Sequence, residues 1–131
     1  MIVVDASVLL FAVAYSGGIF DRATERLNEE TSAAPHLIDL ETTNALKRLE
    51  RLKVLDPEAA QSAVADVFLM PVLRYDHRPL LARSWELRRN LSIYDASYVA
   101  LAELLDAPLV TADSAFTKAP GIRCEVELLT P

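Results

Sequence analysis

The stretch from Ile2 to Leu10, which reads IVVDASVLL, decides the fold of this chain. Its β-branched residues Ile2 to Val4 are typical of a buried strand, and we predict that the strand ends at Asp5. The almost wholly apolar segment from Val8 to Tyr15 then predicts a helix. A carboxylate therefore follows a buried strand at its carboxyl end, where open α/β sheets bind ligands. Alternatively, Asp5 or Ser7 only caps the helix, because both residue types accept hydrogen bonds from free helical N–H groups.

Length and composition indicate one apolar, acidic domain. The chain has 131 residues, of which 52% are hydrophobic, and we expect a single domain spanning 1–131. The only cysteine, Cys124, excludes an intramolecular disulfide and disfavours a cysteine-based zinc site, which fits a reducing, cytoplasmic setting. Because Asp5 interrupts the first apolar run and no basic segment precedes it, we expect neither a signal peptide nor a membrane span.

Charge is distributed unevenly along the chain. The formal net charge is -6, which argues against a protein that coats nucleic acid through bulk charge. The segment from Lys47 to Arg89 nevertheless holds nine basic and six acidic residues, so its local balance is +3. This segment is compatible with a phosphate-bearing partner, and Arg48, Arg88 and Arg89 are its candidate phosphate contacts. The alternative is an ordinary solvated helix face.

Strand and helix signals alternate along the rest of the chain. They predict helices at 19–30, from Pro35 to about Leu52, from Pro57 with Asp56 as N-cap, at 76–91 and at 92–105, and strands at 31–34, 70–74, 108–111 and 123–129, the last at a sheet edge. In the helix at 76–91 the expected inward residues are Leu80, Leu81, Trp85 and Leu87, and the expected outward residues are Arg83, Arg88 and Arg89. This alternation predicts a three-layer α/β/α fold with a central, mostly parallel sheet.

Glu41 occupies an unusual place in the helix that begins near Pro35. At 100° per residue it lies on the stripe predicted to face the core, which comprises Ile38, Ala45, Leu49 and Leu52. A buried carboxylate is costly unless it is paired or binds a metal, so this position indicates a site. Asn44 borders the same face.

Two further acids lie near the ends of buried elements. Asp95 lies in the first turn of an apolar helix, where Ser92 with Asp95 also matches a capping box. Asp113 follows the apolar strand that ends at Thr111. Four acids gathered in an apolar domain repel each other, and a divalent cation relieves that repulsion. Because the ligands are oxygens without a His or Cys cluster, Mg²⁺ or Mn²⁺ is favoured over zinc.

Four blocks of sequence resemble one known family. They are VVDASVLL at the start, LETTNAL in the proline-led helix, IYDASYVALAEL, and PLVTADSAF. In this order and spacing they resemble the PIN-domain ribonucleases, and specifically the VapC-type toxins of bacterial toxin–antitoxin pairs. The resemblance covers essentially the whole chain and implies a PIN-like fold.

The resemblance also implies an activity and roles for individual residues. It implies an endoribonuclease whose acidic quartet, Asp5, Glu41, Asp95 and Asp113, holds Mg²⁺ or Mn²⁺, with Thr111, Ser7 and Asn44 in support. It further implies a homodimer, RNA as substrate, and a cognate VapB-type antitoxin that inhibits the toxin.

Two other functions remain open from the sequence. A PIN-like module could bind RNA or a protein partner without cutting, although an intact quartet argues against it. A phosphatase of the aspartyl-phosphate type also begins with an acid after a strand. It ranks third, because it needs a second aspartate two residues later and position 7 is serine.

Overall fold

Five short strands form one parallel sheet, and seven helices flank it. The computed structural model describes residues 1–131 throughout. The strands are β1 (Ile2–Val4), β2 (Ser32–Pro35), β3 (Val72–Tyr75), β4 (Leu109–Thr111) and β5 (Val126–Leu128). The helices are α1 (Ala6–Ala14), α2 (Gly18–Glu29), α3 (Leu37–Arg51), α4 (Pro57–Leu69), α5 (Leu81–Glu86), α6 (Ile93–Leu104) and α7 (Ala115–Lys118). This arrangement confirms the predicted α/β fold with a parallel sheet.

The strand order, β3-β2-β1-β4-β5, decides where the chain can bind a ligand. The chain adds β2 and β3 on one side of β1 and then returns to add β4 and β5 on the other side. Val3 of β1 pairs with Ala33 of β2 and with Leu109 of β4, so β1 is central. The strand order therefore reverses between β1 and β4, and such a switch point opens a crevice at the carboxyl ends of the strands.

The most apolar segments of the sequence lie at the centre of the molecule. All three residues of β1 are fully buried, as expected for a parallel strand covered on both faces. In α6, every residue from Ala96 to Ala102 is buried, which confirms the predicted buried helix. Asp56 caps α4 by accepting a hydrogen bond from the Ala59 N–H (2.8 Å), with Pro57 in the first turn, also as predicted. These elements fix the scaffold around the switch point.

Helix α3 differs from its prediction in its start and in its buried face. Pro35 is the last residue of β2, where it pairs with Tyr75 of β3, and the helix begins at Leu37. Proline suits either place, because its fixed φ is compatible with extended as well as helical backbone. The buried residues of the helix are Ile38, Thr42 and Leu46, which follow i, i+4 spacing.

The buried face of α3 therefore differs from the predicted one by a rotation about the helix axis. Leu52 lies just beyond the last turn and is 54% exposed. Glu41 borders the buried face and is half-buried, so its side chain reaches the space between α3 and its neighbours without entering the core. At this position Glu41 stays partly exposed to solvent.

The single helix predicted at 76–91 is wrong. The segment forms a 3₁₀ turn at Arg78–Leu80 and then the short α5, followed by turns. The 3₁₀ turn has fewer residues per turn than an α-helix and so changes the phase of the residues after it. As a result Leu81 and Trp85, expected to face inward, are 58% and 61% exposed, whereas Leu80 and Leu87 are buried as predicted.

Arg83 also contradicts its predicted outward orientation. Its guanidinium donates hydrogen bonds to the Glu103 carboxylate on α6 (2.7 Å) and to the Gly121 carbonyl (2.6 Å). The long side chain thereby ties α5 to α6 and to the loop before β5.

No single helix is long and apolar enough to cross a membrane. The length and apolar content are reached only by α1 and α2 taken together, and the chain bends by 117° between them.

Candidate active site at the carboxyl edge of the sheet

Two acids follow the two strands that meet at the switch point. Asp5 comes directly after β1, and Asp113 comes two residues after the end of β4. Glu41 lies in the second turn of α3 and Asp95 in the first turn of α6, two helices that start from the same edge of the sheet. Parallel topology therefore directs all four acids to one end of the molecule.

Asp5 is the most buried of these acids, with only 6% of its surface exposed. Its Oδ1 accepts hydrogen bonds from the Ser7 hydroxyl (2.5 Å) and from the N–H groups of Ser7 (3.1 Å) and Val8 (3.4 Å). Its Oδ2 accepts a hydrogen bond from the Thr111 hydroxyl (2.6 Å). Asp5 therefore does cap α1, as the alternative interpretation proposed, but one of its oxygens is also bound to β4.

Burial outweighs these hydrogen bonds in setting the protonation of Asp5. Removing the carboxylate from water disfavours its charged form and raises the pKa of Asp5 to about 6, even though every one of its hydrogen bonds lowers the pKa. A carboxylate that serves only as a solvated helix cap carries no such penalty. Asp5 is thus an acid whose ionised form a nearby cation would stabilise.

The hydroxyls of Ser7 and Thr111 hold the Asp5 carboxylate between β1 and β4. The Ser7 oxygen donates to Asp5 and accepts from the Ala112 N–H (2.9 Å). The Thr111 oxygen donates to Asp5 and accepts from the Asp113 N–H (3.0 Å). Because each hydroxyl has a single proton, each is fully oriented by these bonds. They couple the position of Asp5 to the loop that carries Asp113.

Glu41 is held by a residue that sequence reasoning did not assign to the site. The Tyr98 hydroxyl, on α6, donates a hydrogen bond to Glu41 Oε1 (2.6 Å). Burial and the nearby Asp95 raise the pKa of Glu41, and the Tyr98 bond lowers it. Tyr98 lies three residues after Asp95 on one face of α6, a spacing that could have indicated its role.

Asp95 and Asp113 complete the electrostatic cluster. Burial, and next the proximity of Asp113, raise the pKa of Asp95. Ser92 Oγ accepts a hydrogen bond from the Asp95 N–H (3.0 Å) and caps α6, but the return bond from Ser92 N–H to the Asp95 carboxylate, which would complete a capping box, is absent. Asp113 is exposed and accepts a hydrogen bond from the Ala115 N–H (2.9 Å). Neighbouring acids therefore disfavour the ionised forms of Glu41 and Asp95.

The remaining predicted residues lie away from these hydrogen bonds. Asn44 makes no hydrogen bond to the acids and lines a groove on α3 together with Lys47, Arg48 and Arg51. Arg88 lies over the Trp85 ring, with its guanidinium carbon 4.3 Å from the ring centroid, and the neighbouring Arg89 is exposed. Arg88 and Arg89 thus belong to the end of α5 and not to the α3 groove.

The donor chemistry of the acids fits a hard divalent cation. All candidate ligands are carboxylate oxygens, which Mg²⁺ and Mn²⁺ prefer. No three His, Cys, Asp or Glu side chains lie close enough together, as they stand, to hold one ion. Mg²⁺ does not require such a cage, because it keeps several waters and is commonly bound through one or two carboxylates plus a substrate phosphate. The acids therefore suit an ion that binds together with its substrate.

Comparison with known proteins assigns the chain to a family. The family model of the PIN domain matches residues 2–122. Ribonuclease VapC1 of Mycobacterium tuberculosis is 41% identical over 128 residues, which cover 97% of this chain and 96% of that protein. Ribonuclease VapC9 of the same organism is 39% identical over 129 residues, 98% of each chain.

Solved structures share the fold over nearly the whole chain. One is PAE2754 from Pyrobaculum aerophilum, with a TM-score of 0.66 and 30% identity, covering 95% of this chain and 88% of that one. Another is VapBC2 from Rickettsia felis, bound to a DNA fragment from its promoter, with a TM-score of 0.71, 18% identity, and coverage of 99% and 100%. The similarity in sequence and in fold thus extends from β1 to the last strand, and the chain belongs to the PIN-domain family, among its VapC-type members.

Proposed function

We propose that the protein is a metal-dependent endoribonuclease that hydrolyses RNA phosphodiester bonds. The relatives named ribonuclease VapC, at about 40% identity over nearly the full length, support the ribonuclease activity. The buried Asp5 at the switch point, with Glu41, Asp95 and Asp113 at the same edge of the sheet, is the observation that carries the proposal.

The roles of the individual acids are part of this proposal. Asp5, Asp95 and Asp113 would hold Mg²⁺ or Mn²⁺ once the ion binds together with the substrate phosphate and draws them closer, and Glu41 would join them or orient the attacking water. When bound, such an ion activates water and stabilises charge on the phosphoryl oxygens. Tyr98 fixes Glu41 Oε1, so Oε2 is the oxygen available to accept a proton from water. The Thr111 and Ser7 hydroxyls keep Asp5 in one orientation.

Cleavage of RNA by the purified chain tests this proposal. Protein free of any partner should cut cellular RNA with Mg²⁺ or Mn²⁺, and EDTA should stop the reaction. Asp5→Asn should remove activity, whereas Asp21→Asn, an exposed acid on α2, should not. Cleavage that continues in EDTA would refute the metal-dependent mechanism.

The alternative is an inactive PIN-like module that binds RNA or protein. The observation that no three of the acids could share one ion as they stand favours this alternative. A protein that binds RNA in the presence of Mn²⁺ without shortening it, in preparations verified as folded, would establish the alternative.

Two partners complete the proposal. We propose a VapB-type antitoxin as inhibitor, in line with the VapC names of the relatives and with toxin–antitoxin complexes among the structures of the same fold. Adding the antitoxin should stop cleavage. We also propose a homodimer, which sedimentation of the free protein should reveal as a species of twice the 14.5 kDa chain mass.

Arg88 and Arg89 remain candidate RNA contacts within this proposal. Replacing both with alanine should weaken RNA binding and flatten its salt dependence, because each lost phosphate contact lowers the slope of log K against log salt by about 0.7 for a single strand. An unchanged slope would assign both residues to a solvated surface.

A further inference from the structure

A basic groove lies on α3 beyond the acids. It is a cavity of about 260 Å³ lined by four polar residues, which are Asn44, Lys47, Arg48 and Arg51. No carboxylate and no apolar side chain lines it. In a chain with 19 acidic and 13 basic residues, a surface lined by three cations and no acid requires an explanation.

The cations of the groove are unpaired. Of the 13 lysines and arginines of the chain, four arginines form ion pairs, namely Arg26, Arg74, Arg78 and Arg83. Lys47, Arg48 and Arg51 form none, and Arg51 stands at i+4 from Lys47 and i+3 from Arg48, spacings at which like charges destabilise a helix. The helix dipole favours Arg48 and Arg51 in the last turn, but Lys47 precedes that turn. What distinguishes the groove is therefore that its three cations are clustered on one surface without an acid among them.

The groove continues from the acidic site along one helix. Arg48 follows Glu41 by seven residues, which corresponds to about 10 Å along the axis and to nearly the same face of α3. A strand whose scissile phosphate lies at the acids would thus reach the groove within a few nucleotides. The guanidinium groups of Arg48 and Arg51 match phosphate oxygens in a two-pronged geometry, and the Asn44 amide can donate to a phosphate or bond a ribose 2′-hydroxyl.

We propose that this groove binds the sugar–phosphate backbone of the RNA on one side of the cleaved bond. The proposal rests on the proposed ribonuclease function and names where the substrate is held. It assigns Asn44, Lys47 and Arg51 to RNA binding together with Arg48, and it removes Asn44 from the support of the acids.

Binding of a labelled single-stranded RNA in EDTA, followed by fluorescence anisotropy over a NaCl series, tests the groove without cleavage. Arg48→Ala/Arg51→Ala should bind at least about tenfold more weakly at low salt, and its salt slope should fall by about 1.4 for two lost phosphate contacts. The matched control is Arg22→Ala/Arg123→Ala, which removes two exposed, unpaired cations outside the groove and should leave affinity and slope close to those of the wild type. Arg48→Lys/Arg51→Lys keeps the charges and should keep the slope. Thermal unfolding verifies that each variant is folded.

The outcomes separate the groove from the proposed activity. Wild type that cleaves RNA while the Arg48→Ala/Arg51→Ala variant binds like the control overturns the groove and leaves the nuclease intact. Wild type that binds RNA through the groove but never cuts it supports the groove and refutes the nuclease. Wild type that binds no RNA overturns the groove. So does an Arg48→Ala/Arg51→Ala variant that loses affinity for a polyglutamate peptide but not for RNA, because the groove would then be a docking site for an acidic protein segment.

Discussion

Replacing Asp5 with asparagine should make the metal-free protein more stable at neutral pH. Burial raises the pKa of Asp5 from 3.8 to about 6, so the folded state binds the proton more tightly than the unfolded state does. The ionised carboxylate therefore destabilises the fold progressively from about pH 4 to about pH 6. At 1.36 kcal/mol per pK unit this amounts to about 3 kcal/mol at pH 7. Asparagine cannot ionise and avoids this destabilisation.

The gain is reduced by the loss of good hydrogen bonding. An asparagine that keeps its oxygen toward Ser7 and Val8 turns its NH₂ group toward the Thr111 hydroxyl, which now donates to Asp5 Oδ2. This mismatch costs about 1 kcal/mol. We expect Asp5→Asn to be more stable by about 1–2 kcal/mol in EDTA at pH 7, a rise of several degrees in Tm. Below about pH 4 wild-type Asp5 is protonated in both states, so the order should reverse.

Denaturant unfolding in EDTA at pH 4 and pH 7 measures the difference in unfolding free energy between Asp5→Asn and wild type, whose sign should differ at the two pH values. Asp56→Asn is the matched control, because Asp56 also caps a helix but lies exposed to solvent, and asparagine caps about as well as aspartate. Its unfolding free energy should change by no more than about 0.5 kcal/mol at either pH. An Asp5→Asn variant that matches this control at both pH values would mean that Asp5 is only a cap.

Metal addition gives the second half of the test. A ligand at a hundred times its Kd stabilises the folded state by about 2.7 kcal/mol. In a Mn²⁺ series the free energy of unfolding should therefore rise substantially for wild type and only slightly for Asp5→Asn. Equal gains in the two proteins would refute Asp5 as a ligand.

Two further substitutions test the groups that hold the acids. Thr111→Val removes the hydroxyl that donates to Asp5 and should lower the free energy of unfolding by about 2 kcal/mol at pH 7. The loss should be smaller at pH 4, where the carboxyl is neutral. Equal losses at the two pH values would contradict this role. Tyr98→Phe removes the donor that lowers the pKa of Glu41, so the acid limb of the pH profile of the cleavage rate should move to higher pH. An unchanged acid limb would show that Glu41 does not titrate in the reaction.

Local sequence was sufficient for the elements that carry the acids. An uninterrupted β-branched run such as β1 must be buried on both faces, and parallel strands align their carboxyl ends, so acids after β1 and after β4 were predictable as neighbours of one edge. Helix α6 is apolar on nearly all sides and so must be buried, which places Asp95 at the same edge of the sheet. The fold class and the shared location of the acids thus followed from short-range patterns.

Tertiary packing decided what depends on rotation and on distant partners. The phase of α3 was set by contacts that bury Thr42, and it places Asn44 along the basic groove. A local change of helix type before α5 exposed Trp85, and no periodicity predicts such a change.

The protonation of the acids likewise could not be predicted from the sequence. The raised pKa of Asp5 depends on how completely its neighbours exclude water, and the bond from Tyr98 to Glu41 joins residues that are 57 positions apart. The sequence by itself determined which acids share an edge, because short apolar runs that end at an acid, and their alternation with helical segments, are local patterns of the chain. Only the tertiary structure decided how each acid is held and charged, because solvent exclusion and long-range hydrogen bonds exist only once the helices have packed.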